Sequence, residues 1–413
     1  MTSNDIEIMA PVGSYEALSA AIQAGAGSVY FGIGHLNMRS RSTKNFSLED
    51  LRTIAEICAS HGVKSYVTVN TVVFDEEMDE MRSLLDTIKN AGVSAIIASD
   101  QSVIQYARKI GVEVHISTQT NVTNTEAVRY YSQFADVIVT ARELSLKQVE
   151  NIYKNIEKEH ITGPNGNLVR LEAFCHGALC MAVSGKCYLS LDNFNSSANR
   201  GACVQPCRRG YEVWDRDREV NLAIENEYIM SPKDLCTLPF LDKVLNAGVR
   251  VLKIEGRGRS PEYTKVTVKV YREAVDAILE GTFTEEKVNA WTERLKSVYN
   301  RDFWDGYYLG RKMGEWTEKY GSQATKTKLF VGTVTNFFAK INVAEIRMET
   351  HELNIGDEIM IIGPTTGVYE DVIKEIRVDL ASADSAKKGE LCSIPANDLV
   401  RRGDKVYKII QSV

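Results

Sequence analysis

The stretch IEIMAPVGSYEALSAAIQAGAGSVYFGI (residues 6–33) holds one complete structural unit. It opens on an apolar run, IEIMAP. Ser14 follows as a candidate N-cap for the helical pattern SYEALSAAIQAG, which stops at Ala24-Gly25. A second run, SVYFGI, begins at Ser28. A serine side chain accepts hydrogen bonds from the free amides of a first helical turn, and glycine takes the left-handed backbone that ends a helix. The stretch therefore predicts strand, helix, strand.

The unit recurs. Further apolar or β-branched runs are KSYVTVN (64–70), SAIIASD (94–100), EVHIST (113–118) and DVIVTA (136–141), then VRLEAFCHG (169–177) and VRVLKIEG (249–256). Most lack polar alternation, as strands buried on both faces do. Helix-period segments such as DEEMDEMRSLLDTIKNAG and TNTEAVRYYSQF lie between them, and Ala91-Gly92, Ile110-Gly111 and Ala247-Gly248 repeat the stop before the next strand. Eight such repeats predict an α/β fold, a (β/α)8 TIM-like barrel over residues 1–325. An open doubly wound sheet is the alternative; no GxGxxG follows the first run, which argues against its dinucleotide-binding form.

Two segments depart from the rhythm. Residues 178–248 separate the seventh run from the eighth, and a barrel would send this loop out of its C-terminal face, where active sites sit. Beyond residue 325 the pattern changes to short strands with Gly, Asn and Asp turns, such as KLFVGTVTNFFAKINVAEIRM. Residues 326–413 are expected to form a small antiparallel β-barrel, and GDEIMIIGPTTG looks like a hairpin of the barrels found in translation factors.

The long loop carries the chemistry. Of eight cysteines, five fall in residues 175–207: Cys175, Cys180, Cys187, Cys203 and Cys207. No apolar run approaches the roughly 20 residues that span a bilayer, and the N-terminus lacks a signal-peptide pattern, so a cytoplasmic location is expected. Structural disulfides are rare there, and clustered thiols more often bind metal or react. Cys180, Cys187, Cys203 and Cys207 are separated by six, fifteen and three residues. Zinc knuckles use tighter pairs, so the irregular set suits a 4Fe–4S cluster better than zinc. Buried free thiols remain the bland alternative. Cys58 and Cys392 read as core residues, Cys175 as packing, and Cys236 as a substitute fourth ligand.

The segment EAFCHGALCMAVSGKCYLS (172–190), the opening EIMAPVGSYEALSAAIQAGAGSVYFG, STQTNVTN (117–124) and VLKIEGRGRSPEY (251–263) together resemble the U32 peptidase-like family across essentially the whole chain. That family holds proteins described as collagenases and members that hydroxylate RNA or quinone precursors without molecular oxygen, using a 4Fe–4S cluster. The length and C-terminal barrel resemble members that form 5-hydroxyuridine at the tRNA wobble position, with prephenate as pathway co-substrate. The 23S rRNA cytidine hydroxylases are similar but longer. The resemblance implies Cys180, Cys187 and Cys203 as ligands and leaves the fourth to Cys207, preferred, or Cys236. It implies the tRNA anticodon loop as partner, leaves room for a paralogous partner, and implies neither DNA nor a membrane.

Oxidising a base requires taking it out of its stack into a polar pocket. The strand ends offer Asn70, Asp100, Ser117, Gln119, Glu172, His176, Lys253, Glu255 and Arg257. Of these, His176 is a candidate proton shuttle, or else a core histidine; Glu172 and Glu255 are candidate bases or orienters of Arg257, or else a structural ion pair. Phosphates need cations, although the net charge is −6. Seven cations against two acids over residues 250–272 give +5 locally. Arg200, Arg208, Arg209, Lys253 and Arg259 are the candidate RNA contacts, and solvated helix faces the plain alternative. A protease would need other equipment: no GxSxG or HExxH occurs, and only six histidines are present. His176 with a nearby thiol keeps that hypothesis open, and a non-catalytic RNA-binding accessory protein is the third.

Overall fold

The computed structural model describes residues 2, 5–41, 45–215, 220–222, 228–310 and 314–412, with the backbone alone for 213–215 and 220–222. All eight expected barrel runs are strands. Seven come first: β1 (Glu7–Pro11), β2 (Ser28–Gly32), β3 (Lys64–Val69), β4 (Ala95–Ala98), β5 (Val114–Ile116), β6 (Val137–Val139) and β7 (Arg170–Ala178). The insertion adds a short ribbon, β8 (Val213–Asp215) with β9 (Val220–Leu222), and then β10 (Asp234–Cys236). The eighth barrel strand is β11 (Val249–Ile254), followed by the two-residue β12 (Phe303–Trp304).

The barrel strands pair in parallel in chain order, and β11 closes the ring by pairing with both β7 and β1. At the seam Val251 lies opposite Glu172 on one side and Glu7 on the other. Between the strands run helices with capped ends. In α1 (Tyr15–Gln23) the Ser14 side chain accepts from the Ala17 amide. Gly25, Gly92, Gly111 and Gly248 all take positive φ after their helices. At Gly248, with φ +95°, an added Cβ would also strike the Tyr153 ring, so the last turn before β11 admits no side chain.

Two cores result. Outside the strands, apolar helix faces pack in one large cluster; inside, Met9, Tyr30, Tyr66, Ile97, Val137 and Val251 fill the barrel. Buried charges share that interior. Tyr66 OH donates to Glu7 Oε1 at 2.8 Å, and Lys64 and Arg170 reach its other oxygen. Burial pushes the Glu7 carboxyl up, but Lys64, His115 and Arg170 outweigh it and hold it at about 2.

The C-terminal residues form a separate antiparallel sheet beginning with Lys326–Phe338 and centred on its pairing with Lys405–Gln411. It has eight strands and its own core, including Val331, Ile346, Ile361 and Val406. Among the described residues no ladder joins its end strands, Gly367–Val372 and Ala381–Ala383. The sheet docks on α1: Met360, Ile362 and Val368 pack on Ala20, and Gln23 Nε2 donates to Thr366 O at 2.7 Å. No described helix is long and apolar enough to cross a membrane.

The insertion is not one irregular loop. It contains α7 (Leu189–Phe194), and β10 runs antiparallel to the end of β7, with Leu235 opposite Gly177. A three-residue strand carries too little periodicity to be read from sequence.

Candidate active site at the barrel mouth

The C-terminal strand ends open into a cavity of about 160 Å³. Tyr30, Thr68, Asn70, Ser117 and Lys253 line the barrel side, while Cys180, Cys187, Cys203 and Cys207 line the side made by the insertion. A second chamber of about 220 Å³ shares Cys180, Cys203 and Cys207 with it. Arg39, Arg142, Arg208, Arg257, Arg259 and Arg301 wall that chamber, with Glu255 the one carboxylate among the described residues that line it.

All eight cysteines are free thiols. Burial, with the neighbouring Cys180, Cys203 and Cys187 and against the pull of Arg208, holds the Cys207 thiol up at about 11. Ser190 Oγ donates to Cys203 Sγ at 3.7 Å. Among the described residues no three His, Cys, Asp or Glu side chains are placed to hold a single metal ion. Cys236 is not among the cavity-lining cysteines. It is buried on β10 with Tyr271 OH 4.0 Å from its sulfur, and burial pushes its thiol to about 11.

Glu255 follows directly from β11 and receives Arg39 Nη2 at 3.2 Å. Burial pushes its carboxyl up, but Arg39, Arg142 and Arg257 outweigh it and hold it below the ordinary range. Arg257 Nη1 donates to Asn37 Oδ1 at 3.1 Å and Thr68 Oγ1 at 2.9 Å, and burial lowers this guanidinium to about 10. Lys253 Nζ lies 4.8 Å from the Tyr30 ring centre, and the Arg142 guanidinium 4.0 Å from that of Phe174.

Other expected residues sit elsewhere. Glu172 is 0% exposed and paired with Lys253 Nζ at 2.7 Å, away from the cavity lining. His176 is 2% exposed, with Tyr263, Tyr271 and Phe303 around its ring. Burial alone lowers it to about 3, so it is neutral, and its Nδ1 has no hydrogen-bond partner. This is the core-histidine alternative rather than a shuttle at the cavity. Asp100 caps α4 (Gln101–Ile110) through Ser102.

Three candidate RNA cations are already engaged. Arg200 forks onto Glu77, with Nη1 to Oε2 at 2.7 Å, and stacks on Phe74. Arg208 donates to Leu179 O at 2.7 Å and to Pro232 O. Lys253 is held by Glu172. Arg209 and Arg259 lie over Phe194 and Tyr299. Sequence reasoning missed Arg39, Arg142 and Arg301. Only Arg142, just past the end of β6, stood where a strand-end search could have found it.

The insertion is pinned by the Arg200–Glu77 pair, by Arg41 N donating to Gly201 O at 3.2 Å and by Asn121 Nδ2 donating to Ser184 O at 3.0 Å. Arg200→Ala is expected to speed limited proteolysis within residues 178–248 severalfold while leaving the global unfolding midpoint nearly unchanged. An unchanged cleavage rate would mean the other contacts hold the insertion without the clamp.

Gly32 matters for packing rather than conformation. An added Cβ would lie 2.5 Å from Asn45 Oδ1 and 2.8 Å from Asn37 Cγ, and would strike Arg257 Nη1. Gly32→Ala is expected to cost about 1–3 kcal/mol and to displace Arg257. Its denaturation midpoint and the activity proposed below check this; wild-type values for both would show that the pocket yields.

The closed barrel with a thiol-bearing insertion over its mouth defines a TIM-barrel protein whose candidate site lies where enzymes of this fold build theirs. The model of peptidase family U32 matches residues 13–318, and the chain belongs to that family. A protein named collagenase from Porphyromonas gingivalis is 58% identical over 408 residues, covering 99% of each chain. The tRNA hydroxylation protein P1 of Bacillus subtilis is 32% identical, covering 90% of this chain and 86% of its own. A 23S rRNA 5-hydroxycytidine synthase of Escherichia coli is 32% identical, covering 68% of this chain and 41% of its own.

Proposed function

We propose that this protein is an RNA hydroxylase, and that its target is the wobble uridine of tRNA, converted to 5-hydroxyuridine in the cytoplasm. The observation that carries this is the pairing of one cavity lined by four thiols with an arginine-walled chamber at the barrel mouth. Relatives named for tRNA and rRNA hydroxylation support the reaction class.

Cys180, Cys187, Cys203 and Cys207 would hold a 4Fe–4S cluster, which supplies electron transfer when bound. Four thiols around one cavity, with no histidine among the described residues lining it, offer the all-thiolate donor set that a multi-iron group takes. The chain's own residues do the rest. Asn70, Ser117 and Gln119, hydrogen-bonded to one another in the cavity wall, would have to exchange those bonds for the edge of a base, and Lys253 and Arg142 cover the rings of Tyr30 and Phe174. Replacing C5–H by C5–OH is a two-electron oxidation, so an oxygen donor and an electron acceptor must join. The family resemblance assigns prephenate to that pathway, and the arginine chamber suits a carboxylate. A paralogous chain could complete the system.

The name of the 58% identical relative favours a second reading, a protease. No histidine lines either cavity, so the cavity thiols have no imidazole base beside them.

Nucleoside mass spectrometry of tRNA and rRNA from cells with and without the gene tests the proposal. Loss of 5-hydroxyuridine from tRNA is the expected result, and reconstitution with purified RNA would separate catalyst from accessory binder. Loss of 5-hydroxycytidine from rRNA would redirect the substrate. Unchanged RNA together with peptide hydrolysis that survives Cys180→Ala and Cys187→Ala would establish the protease instead.

A further inference from the structure

Beside the arginine chamber runs a groove of about 440 Å³ whose walls, among the described residues, hold five cations and no carboxylate. The cations are Arg41, Arg208, Arg209, Arg301 and Lys319. Arg41, Arg209 and Lys319 are exposed, and none has an ion pair among the described residues. Arg208 is held by neutral oxygens only, so its charge is uncompensated by those contacts. Arg301 has Asp234 at 3.5 Å, a residue that does not line the groove. In a chain of net charge −6, this concentration is local. Tyr320, 73% exposed, adds an aromatic face, while Tyr299 lines the groove beneath Arg259.

The groove joins the site already described, sharing Cys203, Gln205, Arg208 and Arg301 with the chamber. The two differ in kind. The chamber's Arg257 is buried and hydrogen-bonded, which suits a small anion in a fixed pose. The groove's exposed, extended cations suit a flexible polyanion held by many weak contacts, with a ring on which a base stacks.

We infer that this groove holds the phosphodiester backbone of the RNA segment flanking the base that enters the cavity; the inference rests on the RNA reading above. Arg41, Arg209 and Lys319 carry phosphate contacts, and Tyr320 stacks on a neighbouring base. Arg208 and Arg301 mark the junction where strand and reacting base part.

The test is fluorescence anisotropy with a labelled anticodon stem-loop RNA across a salt series, using the full chain. The variants are R41E/R209E/K319E, its neutral counterpart R41Q/R209Q/K319Q, and a control of equal charge change on exposed lysines outside the groove, K89E/K109E/K387E. Unfolding midpoints are measured for all. The groove reversal is expected to weaken binding at least tenfold and to flatten the slope of log K against log salt by about 2, at about 0.7 per single-strand contact. The neutral variant should flatten the slope in the same direction, and the control should bind within about twofold of wild type. Wild-type binding by the reversal, or equal losses in reversal and control, would overturn the groove while leaving the RNA reading intact. Wild-type protein that binds no stem-loop would remove the RNA reading itself. If the reversal fails to fold, the neutral variant decides on the same slope criterion.

Discussion

Cys187→Ala is expected to cost the protein its iron, its visible absorption and its RNA hydroxylation together, whereas Cys236→Ala should keep all three. Cys187 faces the cavity from the insertion, in company with Cys180, Cys203 and Cys207. A cluster held by four thiolates loses one anchor of four when it goes, and no other thiol lines the cavity to replace it. Cys236 is packed against Tyr271 in the wall between β7 and β10, so its loss should register as a stability cost of about 1 kcal/mol. The measurements are iron per chain and the absorption spectrum of anaerobically prepared protein, with 5-hydroxyuridine in tRNA from complemented cells. Full iron in Cys187→Ala would refute the ligand set. Iron lost from Cys236→Ala instead would move the fourth position to β10 and require the insertion to rearrange. Stoichiometric zinc in colourless wild-type protein would refute the cluster altogether.

The fold was legible because burial leaves a plain mark on composition. A strand covered on both faces has little room for polar alternation, most of the eight runs lacked it, and all eight proved to be barrel strands. The glycines at the helix ends mark positions whose backbone is left-handed. The site was legible only where chemistry is concentrated locally, as in the cysteines of the insertion. It was illegible where meaning depends on convergence. Arg39, Arg142 and Arg301 arrive at one chamber from three separate parts of the chain, and apart from the strand-end position of Arg142 nothing near them in sequence announces it. Charge alone does not show engagement either: Arg200 meets Glu77, 123 residues away in sequence. His176 has the right residue type and strand-end position for proton transfer. The unforeseen pairing of β10 with the end of β7 helps to bury it.

Lys253→Met is expected to destabilise the protein by about 3–5 kcal/mol at neutral pH, the cost of stranding one member of a buried ion pair. Lys253 Nζ meets Glu172 Oε1 at 2.7 Å in a barrel interior where Glu172 is fully covered. The other groups bearing on it are His115, whose Nδ1 is 3.7 Å from Oε2, and Glu113 and Glu7, which both interact with His115. Burial pushes the Glu172 carboxyl up, but Lys253 and His115 outweigh it and hold it below its ordinary 4.5. A depressed carboxyl contributes stability above its unfolded value and loses it as pH falls through the folded one. Without Lys253 only His115 opposes desolvation, and the sign is expected to reverse. Desolvation then raises the folded value, the folded state takes up a proton, and the variant loses stability as pH rises from about 4.5 through the raised value. The gap to wild type should therefore be narrow near pH 4 and wide near pH 7. Adding Glu172→Gln to Lys253→Met removes the stranded charge and should restore most of the loss, a coupling that a double-mutant cycle reads directly. Denaturant midpoints of the four proteins at both pH values decide it. If Lys253→Met matched wild type at pH 7, with a parallel pH profile, water would have to reach Glu172, and the barrel interior would be hydrated rather than closed.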